Sequence, residues 1–210
     1  MTNIVIIGAG GFGREVQWLI ERINEQEQTW NILGYVDDGM AVDTNVDGYR
    51  VLGGIDYLRS VEENVAVVCA IGSSKTRKKV ISQLLDKSNI TFPNVVDPSV
   101  IMSSRVKMGQ GNIICAGNIL TVDIEMSDFN IINLDCTVGH DVMIDSFVTV
   151  YPSVNISGMV EVGSETELGT GTQIIQGKKI GGNVIVGAGS VVVKDILETG
   201  TYVGVPTRKI

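Results

Sequence analysis

The sequence predicts two parts: an α/β half-Rossmann unit (β-α-β) over residues 1–92, then an all-β coil of short parallel strands over residues 93–210. Three observations carry this. The opening "NIVIIGAGGFGREV" places an apolar run, a glycine turn and an amphipathic stretch in order. Apolar runs and helical spacing then alternate as far as residue 92. From Val96 onward, an apolar residue returns at every sixth position.

Taken in order, the first strand spans about 3–8. Gly8, Gly10 and Gly13 fit G-x-G-x-x-G, and Val16, Leu19, Ile20 and Ile23 continue at helical spacing, which predicts a helix over 12–26. Strands follow near 31–37, 65–71 and 90–96, with a helix over 74–87 capped by Ser73 or Ser74. Glycines between a strand and a helix let backbone N–H groups approach a phosphate at the positive end of that helix. Asp37 and Asp38 lie at about the distance where a dinucleotide fold places its ribose-binding acid. Alone, this stretch predicts NAD. A full dinucleotide fold needs two mononucleotide halves, however, and the chain changes character before a second could form, so a single nucleotide fits better.

The change of character is the hexad. Stepping by six from Val96 to Val192 meets seventeen positions, all apolar. The next residue is often glycine (Gly109, Gly139, Gly163, Gly169), and the fourth residue after each apolar one is usually small, polar or β-branched. Neither a helix nor an ordinary strand has that period. A coil of three flat faces per turn does, each face a short strand sending one large and one smaller side chain inward. Three hexads per turn predict between five and six turns from the seventeen.

Composition narrows the partners. With 24 acidic and 16 basic residues the net charge is −8, which leaves no electrostatic footprint for nucleic acid. No basic leader with an apolar core opens the chain, and no apolar run reaches membrane-spanning length, so a cytoplasmic protein is expected. Cys69, Cys115 and Cys136 lack metal-ligand spacing and are expected to be packed, reduced thiols.

Several stretches together resemble one family: "GAGGFGREV", "YVDD", "AIGS", the hexads, "NLDCTVGHD" and the closing "YVGVPTRKI". They resemble the hexapeptide-repeat acyltransferases with a left-handed parallel β-helix. More narrowly, they resemble sugar acetyltransferases of bacterial surface-glycan synthesis, the nucleotide-aminosugar N-acetyltransferases and sialic acid O-acetyltransferase relatives. The resemblance implies a homotrimer that uses acetyl-CoA at clefts between adjacent subunits, without metal.

His140 is the only histidine in the chain. Its hexad turns Val138 and Val142 inward, which leaves His140 and Asp141 at a corner and pointing out. On the residues alone this is either a surface pair or a base with its carboxylate partner. Histidine titrates close to neutrality, so it is suited to accept a proton at physiological pH. The resemblance implies the second reading, with Asp141 orienting the ring while a sugar amine or hydroxyl attacks the thioester directly. Cys136 falls at an inward position, where a thiol is inert. Asn133 matches a family asparagine that touches the acceptor; as a residue it is equally a turn asparagine or part of a stacked amide ladder.

The same resemblance implies that Lys178, Lys179, Lys194, Arg208 and Lys209 meet the phosphates of CoA, where the bland alternative is ordinary surface charge. It further implies that Gly10, Gly11, Phe12 and Gly13 surround the phosphates of a nucleotide sugar, with Asp37 and Asp38 near the nucleoside and Gly72 and Ser73 closing the pocket. Phe12 departs from the family, since N-acetylating members often carry histidine in this loop, and an O-acetyltransferase stays open. Asp97 also replaces a frequent histidine, with nothing functional drawn from it. Zinc hydratases on the same coil need three histidines per site, which one histidine per chain cannot supply. The remaining alternatives are a non-catalytic nucleotide-binding β-solenoid, an acetyltransferase for a non-sugar hydroxyl and, third, an NAD-dependent enzyme.

Overall fold

The computed structural model describes residues 1–210, which form two compact units, Met1–Pro98 and Ser99–Ile210. The first contains β1 (Thr2–Ile7), α1 (Gly11–Gln26), β2 (Trp30–Val36), β3 (Asn45–Val46), β4 (Tyr49–Gly53), α2 (Ile55–Ser60), β5 (Val65–Cys69), α3 (Ser74–Ile81), β6 (Ile90–Thr91) and β7 (Val95–Val96). Six of these strands form a sheet in the order β3-β4-β2-β1-β5-β6, parallel throughout except for β3 against β4. Ile4, Val5 and Ile6 are fully buried, as expected of a central parallel strand covered on both faces. Val16, Leu19 and Ile20 turn α1 onto that sheet.

Three elements differ from expectation. The helix expected over 74–87 stops at Ile81, where Gln83 and Leu84 donate to Val80 and Ile81, three residues back, and the chain closes into turns. The strand expected over 90–96 is split between β6 and β7, because Pro93 lies between them and has no N–H for a ladder. The β3–β4 hairpin and α2 were not expected. Asp47 and Gly48 turn the hairpin with φ of 46° and 93°, the left-handed pair that a two-residue turn needs. That Asp-Gly pair was the available signal.

The second unit is the coil, a left-handed β-solenoid. Each strand pairs in parallel with the one eighteen residues on: Ile113 with Ile131, Ile131 with Thr149, Thr149 with Glu167. A second face stacks six strands from Ile101–Met102 to Val191–Val192, and a third stacks five from Lys107–Met108 to Lys179–Ile180. From Ile114 to Val192, every hexad residue is at most 3% exposed. Met102 is exposed because the stack of coils begins there.

At each corner, one residue per hexad is left-handed, in an unbroken series from Gly111 to Gly189 that includes Asp123, Phe129, Asp135, Asp141 and Phe147. This conformation turns the chain from one face to the next, and aspartate tolerates it better than most side chains. The smaller inward positions hold Asn112, Asn118 and Asn130, all fully buried. Asn130 N–H donates to Asn112 Oδ1 at 2.8 Å, and Cys136 N–H donates to Asn118 Oδ1 at 2.8 Å. The last coil is shorter: Val184 pairs with Gly200, and the Gly200–Val203 strand turns back against Arg208–Lys209. No helix of the chain is long and apolar enough to cross a membrane.

Candidate active site

The candidate catalytic corner is built by one hexad. Val138 and Val142 are fully buried, and between them the chain turns outward through Gly139, His140 and the left-handed Asp141, φ 58°. His140 Nδ1 lies 2.7 Å from Asp141 Oδ2, and the two side chains are 50% and 58% exposed. The coils on either side hold the corner by backbone bonds: Asp141 N–H donates to Val122 O, and Met159 N–H to His140 O. Val122, His140, Gly158 and Gln176 therefore stack in one column, eighteen residues apart. A carboxylate on Nδ1 fixes the tautomer that leaves Nε2 as proton acceptor.

Gly158 went unnoticed in the sequence. A Cβ built there would fall 2.5 Å from His140 Nε2 and 2.6 Å from Cε1, so the ring lies directly over it. Its signal was its place eighteen residues after the only histidine.

Asn133 stands at a different corner of the same coil, on the far side of the Thr137–Val138 strand from His140. Its Oδ1 accepts Leu134 N–H at 2.7 Å, and its carbonyl accepts Asn118 Nδ2 at 2.9 Å. The amide ladder runs through Asn112 and Asn130 instead. Cys136 is fully buried, and desolvation pushes its thiol up to about 11.

The five C-terminal basic residues divide between two places. Lys179 opens the last strand of the third face with Lys178 just before it, and Lys194 follows Gln176 in the His140 column by the same step of eighteen. Arg208 and Lys209 lie on the terminal hairpin beyond the first face. Lys179 is held by Glu161 at 2.8 Å and Lys209 by Glu198 at 3.0 Å, and each carboxylate bond raises its lysine's pKa. Lys178, Lys194 and Arg208 make no ion pair.

In the first unit the glycines divide by role. Gly8 is left-handed, φ 95°, and a Cβ on Gly13 would meet Gly8 O at 1.9 Å, so both are needed for the turn and for helix–strand packing. Gly10 and Gly11 have open space where a Cβ would stand, at a helix start with no acidic residue in its first turn. They line a cleft of about 390 Å³ with Arg14 and Thr44. Phe12 is half-buried.

Asp37 and Asp38 line a separate cleft of about 210 Å³ at the carboxyl ends of β1 and β2, closed by Ile71 and Thr76. Asp37 accepts the N–H groups of Ala9 and Gly39, both at 2.8 Å, so its carboxylate locks the glycine turn from within. The open side of the turn is therefore the one that Gly10 and Gly11 line. Asp38 accepts Ile55 N–H at 2.8 Å, at the start of α2. Ser73 begins α3 without a side-chain cap, and Gly72 O accepts the buried Arg77 at 3.1 Å. Asp97 is buried and takes Arg22 through two bonds of 2.7 and 3.2 Å, which gives it a structural role in holding α1.

Residues 3–84 match the PglD N-terminal domain family. A GDP-perosamine N-acetyltransferase of Escherichia coli O157:H7 is 28% identical over 185 residues, 88% of this chain and 82% of that protein. The acetyltransferase domain of PglB from Neisseria gonorrhoeae, solved with acetyl coenzyme A, superposes with a TM-score of 0.90 at 27% identity, covering 99% of this chain and 98% of that one. PerB from Caulobacter crescentus, solved with CoA and GDP-perosamine, gives a TM-score of 0.89 at 30% identity over 100% of this chain and 98% of that one. Likeness at this level runs through both units and along the whole length, and the chain belongs to the hexapeptide-repeat sugar acetyltransferase family.

Proposed function

We propose that the protein transfers the acetyl group of acetyl-CoA to the amino group of a nucleotide-linked amino sugar, with His140 as general base. The single observation that supports this most is the His140 pair itself, with Nδ1 on Asp141 at 2.7 Å and the ring half exposed at a coil corner. Nε2 takes a proton from the acceptor nitrogen as that nitrogen attacks the thioester carbonyl. Collapse of the tetrahedral intermediate breaks the C–S bond, and the imidazolium returns the proton to the departing thiolate. Asp141 stabilises the imidazolium in between. The buried Cys136 takes no part, so no acyl-enzyme forms.

Gly10, Gly11 and Gly13, with Phe12, present the first unit's helix start to the sugar nucleotide's phosphates, with Arg14 beside them. Asp37, Asp38, Gly72 and Ser73 shape the nucleoside end. Lys178 and Lys194 meet the CoA phosphates, with Arg208, Lys179 and Lys209 in support. Asn133 and His140 occupy different corners of one coil, so a site that uses both draws them from two chains. This favours a homotrimer with its sites between subunits, to be checked by light scattering. The donor places the reaction in the cytoplasm.

The test is thiol release from acetyl-CoA across a panel of nucleotide-linked amino sugars and free sialic acids, with mass spectrometry of the product. An N-acetylated sugar nucleotide is expected. Acetylation of a hydroxyl is the second reading, favoured by Phe12 in the glycine loop. Nucleotide binding without thiol release from any acceptor would instead make the protein a non-catalytic module.

A further inference from the structure

We propose that Gly158 is a positioning residue for His140: the absence of a side chain there is what allows the imidazole to lie against Asp141. This rests on the reading of His140 as the base. The three atoms nearest to a Cβ on Gly158 all belong to that ring, Nε2 at 2.5 Å, Cε1 at 2.6 Å and Cδ2 at 2.9 Å. All three are closer than a carbon can approach.

Backbone conformation does not account for this glycine, because Gly158 is absent from the left-handed series that marks the corners. Coil packing accounts for others but not for this one. At Gly139 a Cβ would strike the backbone N of Gly158 at 2.6 Å, and at Gly169 it would strike the backbone N of Ala188 at 2.6 Å. Such clashes load the fold itself. At Gly158 the obstacle is the far end of a half-exposed side chain, which is free to swing into solvent. An alanine there costs the fold little and the ring its place, and a ring displaced from the Cβ is displaced from its 2.7 Å contact with the Asp141 carboxylate. A displacement of about 1 Å at a reacting group is worth up to about 10²-fold in rate.

The chain's single histidine makes the test direct, because ring-labelled protein gives one set of imidazole NMR signals. In Gly158→Ala the Nδ1 proton signal, held by the carboxylate in the parent, should be lost to exchange. Turnover should fall by about 10–10²-fold with both Michaelis constants little changed. In a His140→Ala background the same alanine should cost no further activity. If Gly158→Ala also lowers the unfolding midpoint, that loss should vanish in the double variant, where no ring remains to clash. Gly169→Ala should lower the midpoint and leave the imidazole signals intact.

An unchanged Nδ1 signal in Gly158→Ala would overturn the proposal, as would an instability that persists without the ring. Should His140→Ala itself keep full turnover, the base assignment fails. The imidazole signals then still decide whether Gly158 positions the ring.

Discussion

The side chains of His140 and Asp141, neighbours in sequence, meet at 2.7 Å between Nδ1 and Oδ2. Consecutive residues of an extended strand point to opposite faces. Here the left-handed backbone of Asp141, φ 58°, turns both side chains out at the same corner. Every coil corner has that turn, so the solenoid's own geometry makes an adjacent His-Asp pair into a hydrogen-bonded dyad.

Asp141→Asn should therefore lower turnover by less than removal of the ring, with acetyl-CoA affinity retained. Asparagine tolerates the left-handed corner and keeps an oxygen for Nδ1–H, but it loses the charge that stabilises the imidazolium and the strict preference for one tautomer. Steady-state kinetics on a variant with parental unfolding behaviour measures this. A loss as large as that of the histidine variant would mean the carboxylate does more than orient.

Asn118→Ala should destabilise the fold by at least about 1–3 kcal/mol without touching the catalytic corner. Asn118 is fully buried, accepts Cys136 N–H at 2.8 Å and donates to Cys115 O at 2.6 Å and Asn133 O at 2.9 Å. Alanine leaves that buried N–H without its acceptor. The check is a lower denaturant midpoint at unchanged slope.

Lys194→Gln should raise the Michaelis constant for acetyl-CoA more than that for the acceptor, and added salt should shrink the difference. Lys179→Gln should do less, because its ammonium is already paired with Glu161 at 2.8 Å. Equal effects on both substrates would remove Lys194 from the donor site.

Native protein at pH 8 should leave its thiols unmodified by a disulfide reagent, and all three should react after unfolding. Burial pushes Cys69 up to about 12 and Cys136 up to about 11, so both stay protonated at that pH, and Cys115 is 4% exposed. Rapid labelling of Cys136 in the folded protein would reopen covalent catalysis.

The coil was legible because its signal is redundant: the period of six repeats from Val96 to Val192, and the inward residues of successive hexads stack as expected. The glycine turn was legible for a similar reason, since Gly8 and Gly13 answer steric demands that no other residue meets. Single events were harder. Pro93 cut a strand, the Asp47-Gly48 turn added a hairpin, and α3 ended early through local bonds that apolar spacing does not encode. In the candidate site, the outward corner position of His140 and Asp141 was legible from their hexad, and both side chains are half exposed there. Gly158 was not, because its meaning depends on what lies one coil away. The engagement of Asp37 by Ala9 N–H was equally hidden, being a contact across 28 residues.

The measurement that bears most directly on the proposed chemistry is turnover of His140→Ala beside its affinity for acetyl-CoA, by kinetics and calorimetry on the same folded sample. A general base removed from a half-exposed corner should cost about 10²–10⁴-fold in turnover and leave donor binding near the parental value. Nearly full turnover in that variant would contradict His140 as the base.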